Sequence, residues 1–121
     1  MRKRLRRLIN QSSPGARSRG LRIVQTTDSS GPVLALIGDL DLATGPDFER
    51  SLHEAEQSTP SRILVDLSGL EFMDSTGLTV LVQALRFSEA GGHQLILRRG
   101  PQQIQRLFDV TGIEDRFTFE A

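Results

Sequence analysis

The sequence contains no cysteine, tryptophan or tyrosine among its 121 residues, and its single lysine is Lys3. Without cysteine the chain cannot form a disulfide, a thiolate zinc site or a cysteine nucleophile. Without a later lysine, its body cannot form a Walker A phosphate-binding loop or a Schiff base. No two glycines are separated by a single residue, so the dinucleotide-binding Gly-x-Gly pattern is absent as well. These absences exclude several large classes of enzyme.

The residues that remain also argue against catalysis. A serine nucleophile elbow needs glycine two positions before the serine, and Met73 occupies that position before Ser75. The two histidines, His53 and His93, fall in separate predicted elements, and two histidines without cysteine do not indicate a metal site. We therefore expect no catalytic residue, no metal and no cofactor. Nucleotide hydrolysis is the enzymatic alternative, although no phosphate-cradling loop is visible.

The net charge of zero hides a strong separation of charge along the chain. Residues 1–22 carry eight basic side chains and no acidic one, which leaves seven basic and 15 acidic side chains, a formal charge of −8, in the rest. Residues 1–20 are rich in arginine, serine, proline and glycine, a composition that predicts a disordered tail before a folded domain over 21–121. The acidic body is a poor candidate for direct binding of nucleic acid.

Several roles stay open for the basic tail. The alternatives are a solvated extension, the product of an over-long assigned start, a weak membrane-surface helix built on Leu5, Leu8 and Ile9, and a nucleic-acid contact. Leu8-Ile9 is too short an apolar stretch for a secretory signal, and no later run is long enough to span a membrane. We expect a cytoplasmic protein.

Hydrophobic periodicity predicts an α/β fold. The predicted order is a strand over 21–27, a strand over 33–37, a helix from Thr44, a strand over 63–67, a loop over 68–73, a helix over 75–89, a strand over 94–98, a helix over 101–112 and a strand over 116–119. Thr44 is the predicted N-cap of the first helix, with Asp47 completing a capping box. This ββαβαβαβ order indicates a mixed β-sheet with helices packed on it.

The segment Asp74-Ser75-Thr76-Gly77 is the most distinctive one in the chain. It places three good N-cap residues in a row at the start of a predicted helix, and capping alone would account for one of them. The preceding predicted loop is unusually apolar, which indicates that it is packed and that it fixes the position of Ser75 near the end of a strand. The paired acids Asp39 and Asp41 are expected to form a solvated turn.

The run over 63–78, ILVDLSGLEFMDSTGL, resembles the signature of STAS domains in anti-sigma factor antagonists. The turn Gly38-Asp39-Leu40-Asp41 is similar to the acidic turn that follows the second strand in that family, and the later elements follow in the family's order. The resemblance covers about residues 21–119 and implies a STAS-type mixed sheet.

The resemblance also implies a function. In this family, an anti-sigma factor kinase with a histidine-kinase-like ATPase fold phosphorylates the serine that matches Ser75. The unphosphorylated antagonist binds that kinase and thereby releases a sigma factor, and a PP2C-type phosphatase resets the serine. The residues that match Asp39, Asp41, Asp74, Thr76 and Gly77 border the docking surface, together with the serine itself.

Two further interpretations remain. A STAS subunit that regulates a transporter or belongs to a multi-protein signalling assembly, with Ser75 never phosphorylated, would share every motif. A receiver-like domain using Asp66 would need an acidic pair after the first strand, where Asp28 stands alone, and a late lysine.

Family members continue into a C-terminal helix, whereas this sequence ends at Ala121, so a sheet face is expected to be covered by a partner or by a homodimer.

Overall fold

The structure is a computed structural model that describes residues 20–120, so all but the last residue of the predicted tail over 1–20 lies outside the described part. The elements in chain order are β1 (Leu21–Asp28), β2 (Gly31–Leu40), α1 (Gly45–Glu56), β3 (Arg62–Met73), α2 (Ser75–Gly91), β4 (Gln94–Arg98), α3 (Gln102–Val110), a 3-10 turn (Glu114–Arg116) and β5 (Thr118–Phe119). No helix within residues 20–120 has the length and apolar character needed to cross a bilayer.

The five strands form one sheet in the order β1-β2-β3-β4-β5. β1 and β2 are antiparallel, and the Asp28 carboxylate closes their turn by accepting hydrogen bonds from the amides of Ser30 (2.8 Å) and Gly31 (3.2 Å). The remaining pairs are parallel and each is joined through a helix. Right-handed crossovers that always advance in one direction place α1, α2 and α3 on the same face. The predicted mixed sheet is confirmed.

The hydrophobic core lies between that face and the helices. The helical stripes expected from the sequence supply it, because the side chains at their predicted positions are buried or half-buried against the sheet. These residues are Phe48, Leu52 and Ala55 on α1, Leu78, Leu81, Val82 and Leu85 on α2, and Ile104, Leu107 and Phe108 on α3. Phe108 also contacts the rings of Phe117 and Phe119 edge-on, at 5.6 and 5.5 Å.

The loop predicted over 68–73 is wrong, because β3 continues through it to Met73. The pairing of β2 with β3 shifts register twice, once between Ala35 and Ile37 and again between Gly38 and Asp39. Each irregularity changes which side chains face the core, so the apolar residues stop alternating and no longer show a strand's period of two. The last strand is also shorter than predicted, since Arg116 belongs to the 3-10 turn.

A charged cluster holds the end of the chain on the sheet. Arg98 on β4 donates to Asp66 on β3 at 3.0 Å and also pairs with Glu120. Burial raises the pKa of Asp66, but hydrogen bonds from Ser68 and Arg98 outweigh it and hold that pKa below its ordinary value of 3.8. A carboxylate with a lowered pKa stabilises the fold at any pH above its unfolded pKa, and this contribution is lost as the pH falls through the folded value.

We expect Asp66→Asn to lower the free energy of unfolding at pH 7 by about 1 kcal/mol, because charge-assisted hydrogen bonds are replaced by neutral ones. The difference from the unmodified chain should shrink as the pH falls below the ordinary pKa of 3.8 and through the lowered pKa of Asp66 in the folded chain. Urea unfolding at pH 7 and pH 3 measures both quantities. Glu54→Gln on the exposed side of α1 is the control, and an equal loss there would refute a specific role for Asp66.

Candidate functional site

The carboxyl ends of β2 and β3 bring the predicted site residues together. Leu40 pairs with Met73, and the amide of Asp74 donates to the carbonyl of Leu40 at 3.3 Å, just beyond the last rung of the ladder. The acidic turn after β2 and the first turn of α2 therefore lie side by side. This is the end of a parallel sheet at which α/β folds usually bind their ligands.

The acidic turn is buried and closed by its own hydrogen bonds. Asp39 and Asp41 are 5% and 8% exposed, so the expectation of a solvated turn is wrong. One carboxylate oxygen of Asp41 accepts from the amides of Ala43 (3.0 Å) and Thr44 (3.2 Å). These bonds satisfy the carboxylate within the turn, which explains why the sequence can bury it at acceptable cost.

Thr44 stands at the N-cap of α1, but its hydroxyl does not cap the helix as predicted. It donates to the carbonyl of Asp39 at 2.8 Å and accepts from the amide of Asp41 at 3.0 Å, and it is buried. The predicted capping box fails too, since Asp47 pairs with Arg50 at 3.1 Å. Thr44 therefore holds the acidic turn together through its hydroxyl and does not cap the helix.

Asp74 caps α2 and leaves Ser75 exposed. The carboxylate of Asp74 accepts from the amide of Thr76 at 2.9 Å, and its carbonyl accepts from the amide of Gly77 at 3.1 Å. Ser75 is the first residue of the helix, and among the residues described no group hydrogen-bonds its hydroxyl. The serine therefore presents its hydroxyl to solvent on a backbone that its neighbours fix.

Two glycines allow the helices to approach the strand ends closely. A Cβ atom on Gly77 would lie 2.6 Å from Met73 Cγ and 3.0 Å from Leu40, so α2 could not sit on these strands with any larger residue there. A Cβ on Gly45, at the start of α1, would lie 3.2 Å from Thr76 Cγ2. The first turns of α1 and α2 are therefore packed against each other, with the acidic turn and Ser75 at their common end.

Sequence reasoning missed two features of this end. Leu42, in the acidic turn between Asp41 and Thr44, is 76% exposed, although Asp41 and Thr44 themselves are buried. In the sequence, the exposure of Leu42 is indicated only by the position of this apolar residue between two polar turn-forming residues, and that pattern is weak evidence. A groove of about 360 Å³ also begins at Ser75 and follows α2. Its lining residues are Ser75, Leu78, Thr79, Val82, Gln83, Arg86 and Ile113.

The chemistry available at this end is binding and modification of a hydroxyl. His53 lies in the last turn of α1 and contacts Gln57, and His93 lies 3.8 Å from Glu56 in that same turn. Both histidines are therefore at the end of α1 away from Ser75. Among residues 20–120 no three His, Cys, Asp or Glu side chains are grouped as metal ligands would be. Ser75 is the exposed nucleophile here, and an external enzyme would have to activate it.

Comparison with known proteins gives consistent matches. The family model described as STAS domain matches residues 22–121. An anti-sigma-B factor antagonist of Staphylococcus aureus (strain NCTC 8325 / PS 47) is 33% identical over 95 residues, which are 78% of this chain and 88% of that protein. The crystal structure of an anti-sigma factor antagonist from Mycobacterium paratuberculosis superposes with a TM-score of 0.71 at 22% identity, covering 89% of this chain and 88% of that one. The Bacillus cell fate determinant SpoIIAA in its phosphorylated form superposes with a TM-score of 0.63 at 20% identity, covering 84% and 91%.

We expect Gly77→Ala to destabilise the fold by about 1–3 kcal/mol, since overpacking of this size exceeds the gain in helix propensity. Thermal or urea unfolding measures the change. Gly91→Ala, at the exposed end of the same helix, is the matched control, because its added Cβ would meet only the side chain of His93. Equal stabilities of the two variants would contradict the close approach at Gly77.

Thr44→Val should cost about 1–3 kcal/mol of unfolding free energy, because the buried amide of Asp41 and carbonyl of Asp39 lose their shared partner while the side chain keeps its shape. Thr79→Val removes an exposed hydroxyl that bonds the Ser75 carbonyl, and we expect it to change stability by less than about 0.5 kcal/mol. A loss at Thr44 as small as that expected at Thr79 would show that the acidic turn does not depend on the Thr44 hydroxyl.

Proposed function

The chain belongs to the STAS domain family, and from this membership and the geometry of its site we propose that it is an anti-sigma factor antagonist switched by phosphorylation of Ser75. The relative from Staphylococcus aureus is itself named as an anti-sigma-B factor antagonist. In its unphosphorylated form the chain binds an anti-sigma factor kinase and frees a sigma factor. A PP2C-type phosphatase restores the serine, and the exchange takes place in the cytoplasm.

The exposure of Ser75 carries this proposal. Its hydroxyl points to solvent at the first position of α2, while Asp74 and Gly77 on either side are held by hydrogen bonds and packing. A kinase needs a serine that it can reach, and a binding switch needs that serine inside the contact surface. The exposure of Ser75 meets the first condition and supports the proposal that it meets the second, and the phosphorylated form in which SpoIIAA was solved is that of a protein with the same fold.

Phosphorylation would act through charge rather than through a change of fold. A phosphate adds about −1.5 to −2 charges, and the start of a helix tolerates an anion because its amides and dipole point outward. The amide of Thr76 is already taken by Asp74, so the phosphate would stand beside this carboxylate and project into the contact surface. The fold would keep its packing, and the partner would meet the phosphate together with the Asp74 carboxylate in place of that carboxylate alone.

The magnitude of this effect suits a switch. One like-charge contact at 4 Å costs about 1–4 kcal/mol between water-like and surface dielectrics, which weakens binding roughly 5- to 1000-fold. We infer that the kinase contacts Ser75 and Thr76 together with the edge of the acidic turn, where Leu42 is the apolar anchor at 76% exposure. Asp39 and Asp41 shape that edge from within, since both are buried.

We expect Ser75→Asp to weaken binding of the anti-sigma factor kinase at least about fivefold, because it adds an anion that faces the acidic groups of the kinase across the contact surface. Ser75→Ala should bind as the unmodified chain does, and the melting temperatures of all three should agree within about 5 °C. Calorimetric titration with ADP-loaded kinase, identified by capture on the unmodified chain from host lysate, measures the affinities.

Ser61→Asp is the matched control, since it adds the same charge at an exposed position just before β3, at the opposite end of that strand. Its affinity should equal that of the unmodified chain. If Ser75→Asp also binds equally, phosphorylation is not the switch. Capture of transporter subunits or other assembly proteins regardless of residue 75 would instead favour the regulatory-subunit interpretation.

A further inference from the structure

The strand β1 forms one edge of the sheet and lacks the features that usually protect an edge. Its eight residues pair with β2 in uninterrupted register, without a bulge, and none of them is lysine or proline. β5, at the other edge, is only two residues long. Within residues 20–120 the contacts of β1 are chiefly with β2, and no further strand pairs with its outer side. A long and regular edge of this kind is a template for another strand.

The backbone groups on the outer side of β1 follow from one hydrogen bond. The amide of Asp39 donates to the carbonyl of Gly20 at 3.0 Å, so Gly20 turns its carbonyl towards β2. In an antiparallel ladder this orientation repeats at every second residue. The even-numbered residues of β1 therefore bond β2, and the odd-numbered ones turn their amides and carbonyls outwards. These outward residues are Leu21, Ile23, Gln25 and Thr27.

The charges on β1 are arranged so that two copies of the strand complement each other. Arg22 and Asp28 are both exposed and lie near opposite ends of β1, on the same face of the sheet. Among residues 20–120 neither forms an ion pair, and the Asp28 carboxylate uses only one oxygen, for the amides of its own turn. If a second β1 lies antiparallel with Gln25 opposite its own copy, Arg22 of each strand stands opposite Asp28 of the other.

The register that pairs these charges also satisfies the backbone. It places Gln25 opposite Gln25 and Ile23 opposite Thr27, and all of these residues turn their polar groups outwards, so they can exchange hydrogen bonds across the new ladder. Arg22 and Asp28 then form non-hydrogen-bonded pairs, in which opposite side chains lie closest and unlike charges stabilise the contact. A shift by two residues in either direction would keep the backbone bonds but lose both charge pairs. The charges therefore select this register.

We propose that β1 is a dimerisation edge, to which a second copy of this chain adds antiparallel about a two-fold axis at Gln25. The two sheets become one continuous sheet, and the homodimer uses an edge rather than the sheet face expected from the sequence. β2 of the second copy runs antiparallel to β2 of the first, so the two ends that carry the acidic turn and Ser75 lie at opposite ends of the joined sheet. Each copy keeps its Ser75 surface accessible, and the dimer stands independently of the phosphorylation switch.

Charge exchange between two variants of the full chain tests this dimer, with sedimentation equilibrium measuring its dissociation constant. Arg22→Asp alone and Asp28→Arg alone should each raise that constant about tenfold or more, because both cross-strand pairs become like-charged. An equimolar mixture of the two variants should form heterodimers as tightly as the unmodified chain dimerises, since unlike charges then meet at both ends. These heterodimers also show that Asp28→Arg folds despite the altered turn. Arg106→Asp, at an exposed position on α3, is the matched control and should leave the constant unchanged.

A second measurement uses the absence of cysteine from the chain. Gln25→Cys places two thiols opposite each other on strands whose Cα atoms lie about 5.5 Å apart, a separation that a disulfide spans. Under mild oxidation it should form disulfides between chains about tenfold faster or more than Thr26→Cys, the exposed neighbour, because dimerisation raises the effective concentration of the paired thiols.

Three results would overturn the proposal. The first is an unmodified chain that stays monomeric at every concentration, and the second is a dimer whose dissociation constant does not respond to Arg22→Asp. The third is disulfide formation that is equally fast in both cysteine variants, or faster in Thr26→Cys.

Discussion

The close approach of α2 to the ends of β2 and β3 is the constraint on which the site depends. It requires glycine at position 77, where a Cβ would collide with Met73 and Leu40. Once the helix begins there, the amide of Asp74 reaches the carbonyl of Leu40, and Asp74 is placed to cap the helix. Ser75 follows as the exposed first residue of α2. The position of this candidate phosphorylation site is therefore a consequence of the packing at Gly77, two residues further along the chain.

A site fixed in this way favours a switch that works by charge. Thr44 and Asp41 close the acidic turn with hydrogen bonds between buried groups, and the start of α1 packs against Thr76 across Gly45. Little in this arrangement can move without breaking several of these interactions at once. A phosphate on Ser75 would therefore change what the partner meets electrostatically while leaving the surface's shape in place.

Local patterns predicted the elements well, and tertiary effects account for what was missed. The stripes of α1, α2 and α3 could be recognised because a helix repeats over neighbouring residues. The end of β3 could not, since two shifts of register against β2 destroy the alternation that identifies a strand. The burial of Asp39 and Asp41 was also missed, because it depends on Thr44 turning its hydroxyl back onto the turn instead of capping its helix.

The start of β1 and the acidic turn share one junction. The Asp39 amide donates to Gly20 at 3.0 Å, and the Asp39 carbonyl accepts from the Thr44 hydroxyl at 2.8 Å. Two consecutive hydrogen bonds thus join Gly20, the residue before β1, to the Thr44 hydroxyl that holds the acidic turn together. Because residues 1–22 are basic and the rest of the chain carries a formal charge of −8, this junction lies where the basic and acidic parts of the sequence meet.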